Sequence, residues 1–396
     1  MTPRLVHVTT VPESLGFISD QISHLVELGW DVHLVTSPGP RLTWYSDHLN
    51  VTVHGIEMPR SITPFRDISS TTHLTRLLRS LRPEIVHAHT PKGGLLGMIG
   101  ATAARVPVRI YHMRGLPYVT ALGAKRAMLE ATERTSCGLS TQVFCQSESL
   151  RAQALAARLC APSKIEVILG GSNGVDAEGR FHPRAGLEHR TQLRAELGIP
   201  ESALVVGFVG RLVRDKGICE LAEAWRQLAR RHPTAHLLLV GPFEERDPVP
   251  EEVRRELEQM PRVHIIGYTD DVQRWYGVMD VFTLPSHREG FPNAPLEASA
   301  MELPIVATRI PGCVDAVEEG ETGLLVAPGS NSELATALDA LLSDPTRARR
   351  LGQAGRARVL ESFQRKAVTH AIARRYRQLL ERHGVKVSSR ALGQKE

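Results

Sequence analysis

Two stretches of this 396-residue chain combine residue types whose spacing suits chemistry on a phosphorylated ligand. The first is Gly210-Arg211-Leu212-Val213-Arg214-Asp215-Lys216-Gly217, which follows an apolar run that reads as a buried strand and precedes a helical pattern. Gly207 and Gly210 let the backbone bend tightly and approach a ligand. Arg211 and Lys216 stand at either end of the loop, so their cations can converge on one anion. The helix that follows adds its N-terminal amides and the positive end of its dipole. Together these features describe a diphosphate site built from protein cations; taken alone, the stretch also reads as a surface loop with solvated charges.

The second stretch is Ser286-His287-Arg288-Glu289-Gly290-Phe291-Pro292-Asn293-Ala294-Pro295-Leu296-Glu297. Asn293 and Pro295 suit a helix start, which puts Glu289 on the loop and Glu297 in the first turn. Two carboxylates with seven residues between them, Gly and Pro among those, can point into one pocket. Glu297 suits a vicinal diol, as on a ribose, and Glu289 suits the hydroxyls of a sugar. Along Gly290, Phe291, Pro292, Asn293 and Ala294 the backbone N–H groups, of which Pro292 has none, can meet phosphate oxygens. The competing reading of Glu297 is a carboxylate that merely complements the helix dipole.

Elements that alternate along the chain must position these loops. Leu5 to Thr9, Asp31 to Thr36, Glu84 to Ala88, Val108 to His112, Thr141 to Cys145 and Ile165 to Leu169 read as strands, with helical patterns such as Phe17 to Leu28 between them and Gly29 as a helix cap. The glycine-rich stretch Gly170 to Gly174 and the polar segment up to Arg190 read as a boundary. The pattern then restarts: Leu204 to Val209, His236 to Val240, Val263 to Ile266, Val281 to Leu284 and Pro304 to Thr308 are strands, alternating with helices such as Ile218 to Leu228 and Ser332 to Leu342. Repeated strand–helix–strand units predict an α/β protein with two doubly wound parallel sheets. The expected division is residues 1–190, residues 191–384 closed by an amphipathic helix from about Arg365 to Glu381, and a loose tail, 385–396. In such sheets ligands sit beyond the carboxyl ends of the strands, where both loops lie.

Composition narrows the class. The chain is 42% hydrophobic and 23% charged, as expected of a soluble globular protein. Its five cysteines are scattered and form no CxxC pair, which argues against disulfides or a zinc site and for a reducing cytoplasm. Cys145 and Cys219 read as small core residues. The N-terminus lacks the features of a signal peptide, and no apolar run is long enough to span a membrane. The net charge of +5, concentrated in the first half, suits phosphorylated ligands or an anionic lipid surface. Only 5% of residues are aromatic and no basic run occurs, so nucleic acid is not expected as a partner. No spaced Asp-x-Asp pair is available for Mg²⁺; Asp270-Asp271 is adjacent and reads as a helix N-cap. No metal and no cofactor is expected.

With Gly210-Arg211 and Lys216-Gly217, the Glu289–Glu297 pair within EGFPNAPLEA, Asn173-Gly174-Val175-Asp176, and Glu321-Thr322-Gly323-Leu324-Leu325-Val326, the chain resembles the retaining glycosyltransferases of family four across almost its whole length. His87-Ala88-His89-Thr90-Pro91-Lys92-Gly93-Gly94 and Arg114-Gly115-Leu116-Pro117 resemble the subgroup that builds capsular, O-antigen or exopolysaccharide units on a polyprenyl-diphosphate carrier. The resemblance implies the GT-B fold, two facing Rossmann-like domains, and transfer from a nucleotide-diphosphate sugar, a UDP-sugar above all, with retention of configuration and without a metal. Arg211 and Lys216 would bind the donor diphosphate, Glu297 its ribose, and Glu289 its sugar, while Tyr268 would border the base. Gly16 would lie in the first donor loop, where many relatives carry a Gly-Gly pair and this chain has one glycine. His89 and Arg114 would line the acceptor side. Relatives often place His before the glycine that follows their fourth strand; here Arg114 precedes Gly115, and His112 stands two residues earlier as a candidate core residue.

The expected enzyme is thus a glycosyltransferase of surface-polysaccharide assembly in the cytoplasm, at the inner face of the membrane. Phe65, Arg66, Leu74, Arg76, Leu77, Leu78 and Arg79 would supply a docking helix, with Arg60, Lys125 and Arg126 nearby. The rivals are a nucleotide-sugar epimerase on the same fold and an inactive scaffold of a glycan-assembly complex. A dehydrogenase is disfavoured, because no GxGxxG follows the first strand.

Overall fold

The computed structural model describes residues 2–61 and 63–385. The tail beyond Val385 therefore lies outside the described residues, as does Ile62.

Two compact units form. The first holds the described residues up to Asn173 and those from Lys366 on, and the second holds Gly174–Arg365. The first contains β1 (Arg4–Val8), β2 (Asp31–Thr36), β3 (Thr52–Gly55), β4 (Ile85–His89), β5 (Val108–Met113), β6 (Gln142–Cys145) and β7 (Ile165–Val167). All pair in parallel, in the order β3-β2-β1-β4-β5-β6-β7. The second contains β8 (Val205–Val209), β9 (His236–Val240), β10 (Val263–Gly267), β11 (Val281–Leu284), β12 (Ile305–Thr308) and β13 (Gly323–Val326), again parallel, in the order β10-β9-β8-β11-β12-β13. Each is a doubly wound, Rossmann-like sheet. Strand order reverses beside β1 and β4 in the first and beside β8 and β11 in the second, and the crevice at such a point is where doubly wound sheets take ligands.

The central strands are buried on both faces, as a sheet covered by helices requires, while the edge strands β3 and β10 are only partly covered. In the first unit Val6, Val86 and Ala88 pack into one core with Leu74, Leu78 and Leu96. Their strand neighbours Leu5 and Ile85 join Leu34, Ile110 and Phe144 in another, because successive side chains point to opposite faces. In the second unit His236–Val240 is wholly buried, and its leucines share one core with the helices Ile218–Arg231 and Asn331–Ser343.

The unit boundary falls at Asn173/Gly174 rather than near residue 190. Val175, Ala177 and Phe181 are buried in the second unit's core, and Val175 pairs with Gln364, so the polar segment belongs to the second unit. The terminal helix, Arg365–Arg382, belongs with the first unit instead of closing the second. It delivers Val368, Ile372, Ala373, Tyr376, Leu379 and Leu380 into the core that holds Leu5 and Phe144. The helix expected over Phe17 to Leu28 divides into a short tight helix Pro12–Ile18 and an α-helix Ser19–Glu27, with Gly29 left-handed at φ 79° as expected of a cap. Gly16 thus sits in a helix, not an open loop. In the helix Pro64–Leu81, Leu74 and Leu78 face the core, leaving Phe65 and Ile68 as its exposed apolar residues. All five cysteines are free; Cys145 is buried as expected, while Cys219 is only partly so. No helix among the described residues is long and apolar enough to cross a membrane.

Candidate active site

In the second unit the two loops singled out from sequence meet at the reversal point. Strand β8 ends at Val209, and Gly210 follows with φ 153°. Gly217, at φ 74°, turns the chain into the helix Ile218–Arg231. A Cβ at Gly217 would stand 2.0 Å from the Pro285 carbonyl oxygen, so only glycine lets the two loops approach this closely. Across that contact the Lys216 ammonium pairs with the Glu289 carboxylate, both mostly buried. Ser286 Oγ donates to the same Glu289 oxygen at 2.8 Å. Arg288 reaches back to Asp215 at 2.7 Å, and His287 to Glu220 at 3.0 Å, so the loops are tied at several points. Arg211, half exposed, pairs with Glu244 at 3.0 Å.

The helix expected near Asn293 runs Asn293–Ala300, with Pro292 at its N-cap. Glu297 is its fifth residue and so begins the second turn, not the first, which takes it away from the helix end where it would simply offset the dipole. Tyr276 donates to Glu297 at 2.9 Å. Burial raises the Glu297 carboxyl above its usual range, while the Tyr276 hydroxyl and the cations Arg180 and Arg365 oppose that rise. Phe291 is buried, and Asn293 presents a buried Oδ1 that has no partner. Gly312 approaches the Gly290 carbonyl so closely that a Cβ there would meet it at 2.6 Å. Tyr268, after β10, is exposed and donates to Asp270 at 2.6 Å. Asp271 occupies the N-cap position of Val272–Tyr276, although its side chain makes no capping bond.

In the first unit the reversal point is lined by histidines that sequence reasoning did not group. Register sets His7 on β1 opposite His87 on β4, and His89 on β4 opposite His112 on β5. All four are buried, and the His87 and His112 rings stack at 5.2 Å. His7 Nδ1 lies 3.0 Å from His89 Nε2, and His87 Nδ1 lies 2.5 Å from the Tyr376 hydroxyl. Arg114, just past β5, donates to His89 Nδ1 at 3.3 Å, Gln146 Oε1 at 3.2 Å and Asn173 Oδ1 at 2.9 Å. The two acceptor-side candidates, His89 and Arg114, are therefore in contact, and His112 is buried among them, hydrogen-bonded to Gln146 while its Nδ1 has no partner among the described residues. Burial holds all four imidazoles below their ordinary range, His7 down to about 3, with the Arg114 cation adding to the effect. Among the described residues, His7, His87 and His89 also form a cluster of potential metal ligands, their ligand atoms within 4.8 Å of one another. The available signal was alternation, His87-x-His89 and His112-x-Arg114, which places each pair on one face of its strand.

Residues 203–344 match the family described as glycosyl transferases group 1, and residues 17–171 match a glycosyl transferase 4-like domain. The chain is 32% identical over 379 residues to the capsular polysaccharide biosynthesis glycosyltransferase CapM of Staphylococcus aureus, covering 96% of this chain and 98% of that one. It is 28% identical over 304 residues to an Escherichia coli UDP-Gal:alpha-D-GlcNAc-diphosphoundecaprenol alpha-1,3-galactosyltransferase, covering 75% and 76%. Among solved structures, Anabaena HepE in complex with UDP-glucose superposes with a TM-score of 0.78 at 20% identity, over 95% of this chain and 99% of that one.

Proposed function

The chain belongs to the group 1 glycosyl transferases and is a glycosyltransferase of polysaccharide biosynthesis, and from that premise we propose that it moves a sugar from a UDP-sugar to a lipid-linked saccharide, with retention and without a bound metal. The observation that carries this reading is the second unit's junction, where Lys216, Glu289 and Ser286 converge at the head of a helix. As the bond between sugar C1 and the phosphate oxygen breaks, negative charge grows on the leaving diphosphate. Lys216, Arg211 and the helix amides supply the opposite charge, the role Mg²⁺ plays elsewhere. The acceptor hydroxyl attacks C1 from the face the diphosphate leaves, and its proton passes to the departing phosphate oxygen. Glu289, oriented by Lys216 and Ser286, receives the sugar's hydroxyls. Glu297, backed by Tyr276, receives the ribose diol, and Tyr268 borders the base. The relatives whose names specify UDP-galactose with a diphosphoundecaprenol acceptor, or a UDP-glucose complex, support this donor and acceptor class.

The same reading places the first unit at an anionic membrane face, where such an acceptor resides. Phe65 is 89% exposed, Ile68 67% and Leu122 85%, and Arg66, Lys125 and Arg126 are close to them in sequence. Apolar side chains beside cations suit an anionic lipid surface. The test presents a polyprenyl-diphosphate-linked sugar in anionic or neutral vesicles, at low and high salt, with a panel of UDP-sugars and mass detection of product. Transfer is expected to persist in excess EDTA and to be faster on anionic vesicles at low salt. Loss in EDTA restored by Mg²⁺ would refute the metal-free reading, and equal rates on all vesicles would refute docking.

A further inference from the structure

We propose that Arg114 anchors an oxyanion subsite in the first unit, at the carboxyl end of β5, that takes a phosphate group of the acceptor; the proposal rests on the acceptor reading given above. Every polar partner of the guanidinium is neutral: His89 Nδ1, Gln146 Oε1 and Asn173 Oδ1. Its Nη2 is buried and has no hydrogen-bond partner among the described residues. Among the described residues no carboxylate contributes to its environment, and a guanidinium is charged at neutral pH. The comparison within this chain is Arg194, which is fully buried and is met by Asp280 at 2.8 Å. A partly buried cation without a counter-charge is costly, and the cost is recovered when a ligand brings the charge.

The hydrogen-bond directions around Arg114 show a surplus of donors. Arg114 Nε–H donates to His89 Nδ1, which leaves the His89 proton on Nε2, donating to His7 Nδ1. The His7 proton is then on Nε2, a buried atom with no partner. Gln21 Nε2 donates to the Tyr376 oxygen at 2.7 Å, so the Tyr376 O–H donates to His87 Nδ1, and His87 likewise keeps its proton on an unpartnered Nε2. Both chains thus end in an unmatched N–H, and Arg114 carries a third. Such a group calls for an acceptor-rich, negatively charged ligand. The segment that brings Asn173 to Arg114 is strained: Leu169 has φ 43° and Ser172 φ 65°, and a Cβ at Gly171 would stand 1.9 Å from the Gln146 carbonyl oxygen. Backbone held in sparsely populated conformations concentrates where a ligand is handled.

A transition metal on His7, His87 and His89 is the alternative occupant. It would need His89 Nε2 as a lone pair, which moves the proton to Nδ1, where Arg114 already donates, and it would set a dication beside the guanidinium. Both changes are unfavourable, so the anion is preferred.

The test is calorimetric titration of the full chain with geranyl diphosphate, under saturating UDP so that the second unit's diphosphate loop is filled, and in parallel with inorganic phosphate. The wild type is expected to bind, and Arg114→Gln to weaken binding by about tenfold to a hundredfold. Arg114→Lys, which keeps the charge and loses the fork, is expected to weaken it by about threefold to tenfold; if the Gln variant does not fold, the Lys variant decides. An Arg114 effect on both probes assigns the subsite to phosphate alone, and an effect on geranyl diphosphate only assigns it to a lipid-carried phosphate. No binding by the wild type, equal binding by wild type and variants, or one zinc ion per chain lost in His87→Ala would overturn the proposal. The titration needs no turnover. Arg114-dependent binding in a chain that transfers no sugar to a lipid-linked acceptor would sink the acceptor reading and leave the subsite standing.

Discussion

The two sheets reverse their strand order in the same way, yet the side chains gathered at the two reversal points differ in kind. In the second unit Lys216 has Glu289, Arg211 has Glu244 and Arg288 has Asp215. In the first unit Arg114 has only neutral partners, and the histidines around it are held uncharged by burial. A paired site keeps its cations posed between ligands, and under the proposed function an incoming diphosphate would exchange with the acids already present. An unpaired site carries a standing charge deficit that only a ligand relieves. One topology therefore supports two electrostatic strategies: loops after the strands supply the partners in the second unit, whereas in the first the histidines come from the strands themselves.

That contrast can be broken in three places. The largest effect is expected at Lys216. Lys216→Ala removes charge stabilisation worth about 3–4 kcal/mol, a loss in kcat of roughly 10²–10³. Turnover within threefold of wild type would show that the cation is a structural partner of Glu289 and nothing more.

The next effect belongs to the uncharged histidines. His7 is held at about 3 against an ordinary 6.5, by burial first and by Arg114 second. The unfolded chain therefore takes up a proton below pH 6.5 that the folded chain refuses, and stability falls as pH drops from 6.5 toward 3. At about 1.4 kcal/mol per pH unit, His7 alone accounts for about 2 kcal/mol lost by pH 5. Urea unfolding at pH 7 and pH 5 should show that loss shrinking by about this amount in His7→Gln; an unchanged difference would mean the cluster is not the acid-sensitive element.

The smallest effect is expected at Glu244. Its pair with Arg211 is substantially exposed, and such pairs contribute about 0–1 kcal/mol. Glu244→Gln should shift the donor KM by less than about fivefold, measured by initial rates against UDP-sugar. A larger change would mean that pairing at this loop does more than pose the arginine.

Much of the second site was legible in the sequence because its constraints are local. Gly217 is required by a left-handed turn against Pro285, and Lys216 and Glu289 lie in the loops that follow β8 and β11. The central strands were legible as apolar runs: Asp31–Thr36, His236–Val240 and Val281–Leu284 fall where their composition places them. Edge strands β3 and β13 were missed: TVHG holds a single strongly apolar residue, and GLLV was read only as part of the motif Glu321 to Val326. The histidine cluster was missed for a different reason. His7, His87 and His112 come from separate strands, and only the parallel register of β1, β4 and β5 makes them neighbours. The terminal helix showed its apolar face in sequence but not the surface that face covers, which tertiary packing decides.

That helix also reverses the relation between making the chain and finishing it. Residues 174–365 are contiguous, so the second unit has all of its core once Arg365 is added. The first unit, whose strands are synthesised first, still lacks Tyr376, Leu379 and Leu380, and with Tyr376 the hydroxyl that meets His87. On the ribosome the half that begins first is therefore closed last. Until then a sheet lined with histidines keeps part of one apolar face open, waiting on the turns of Arg365–Arg382.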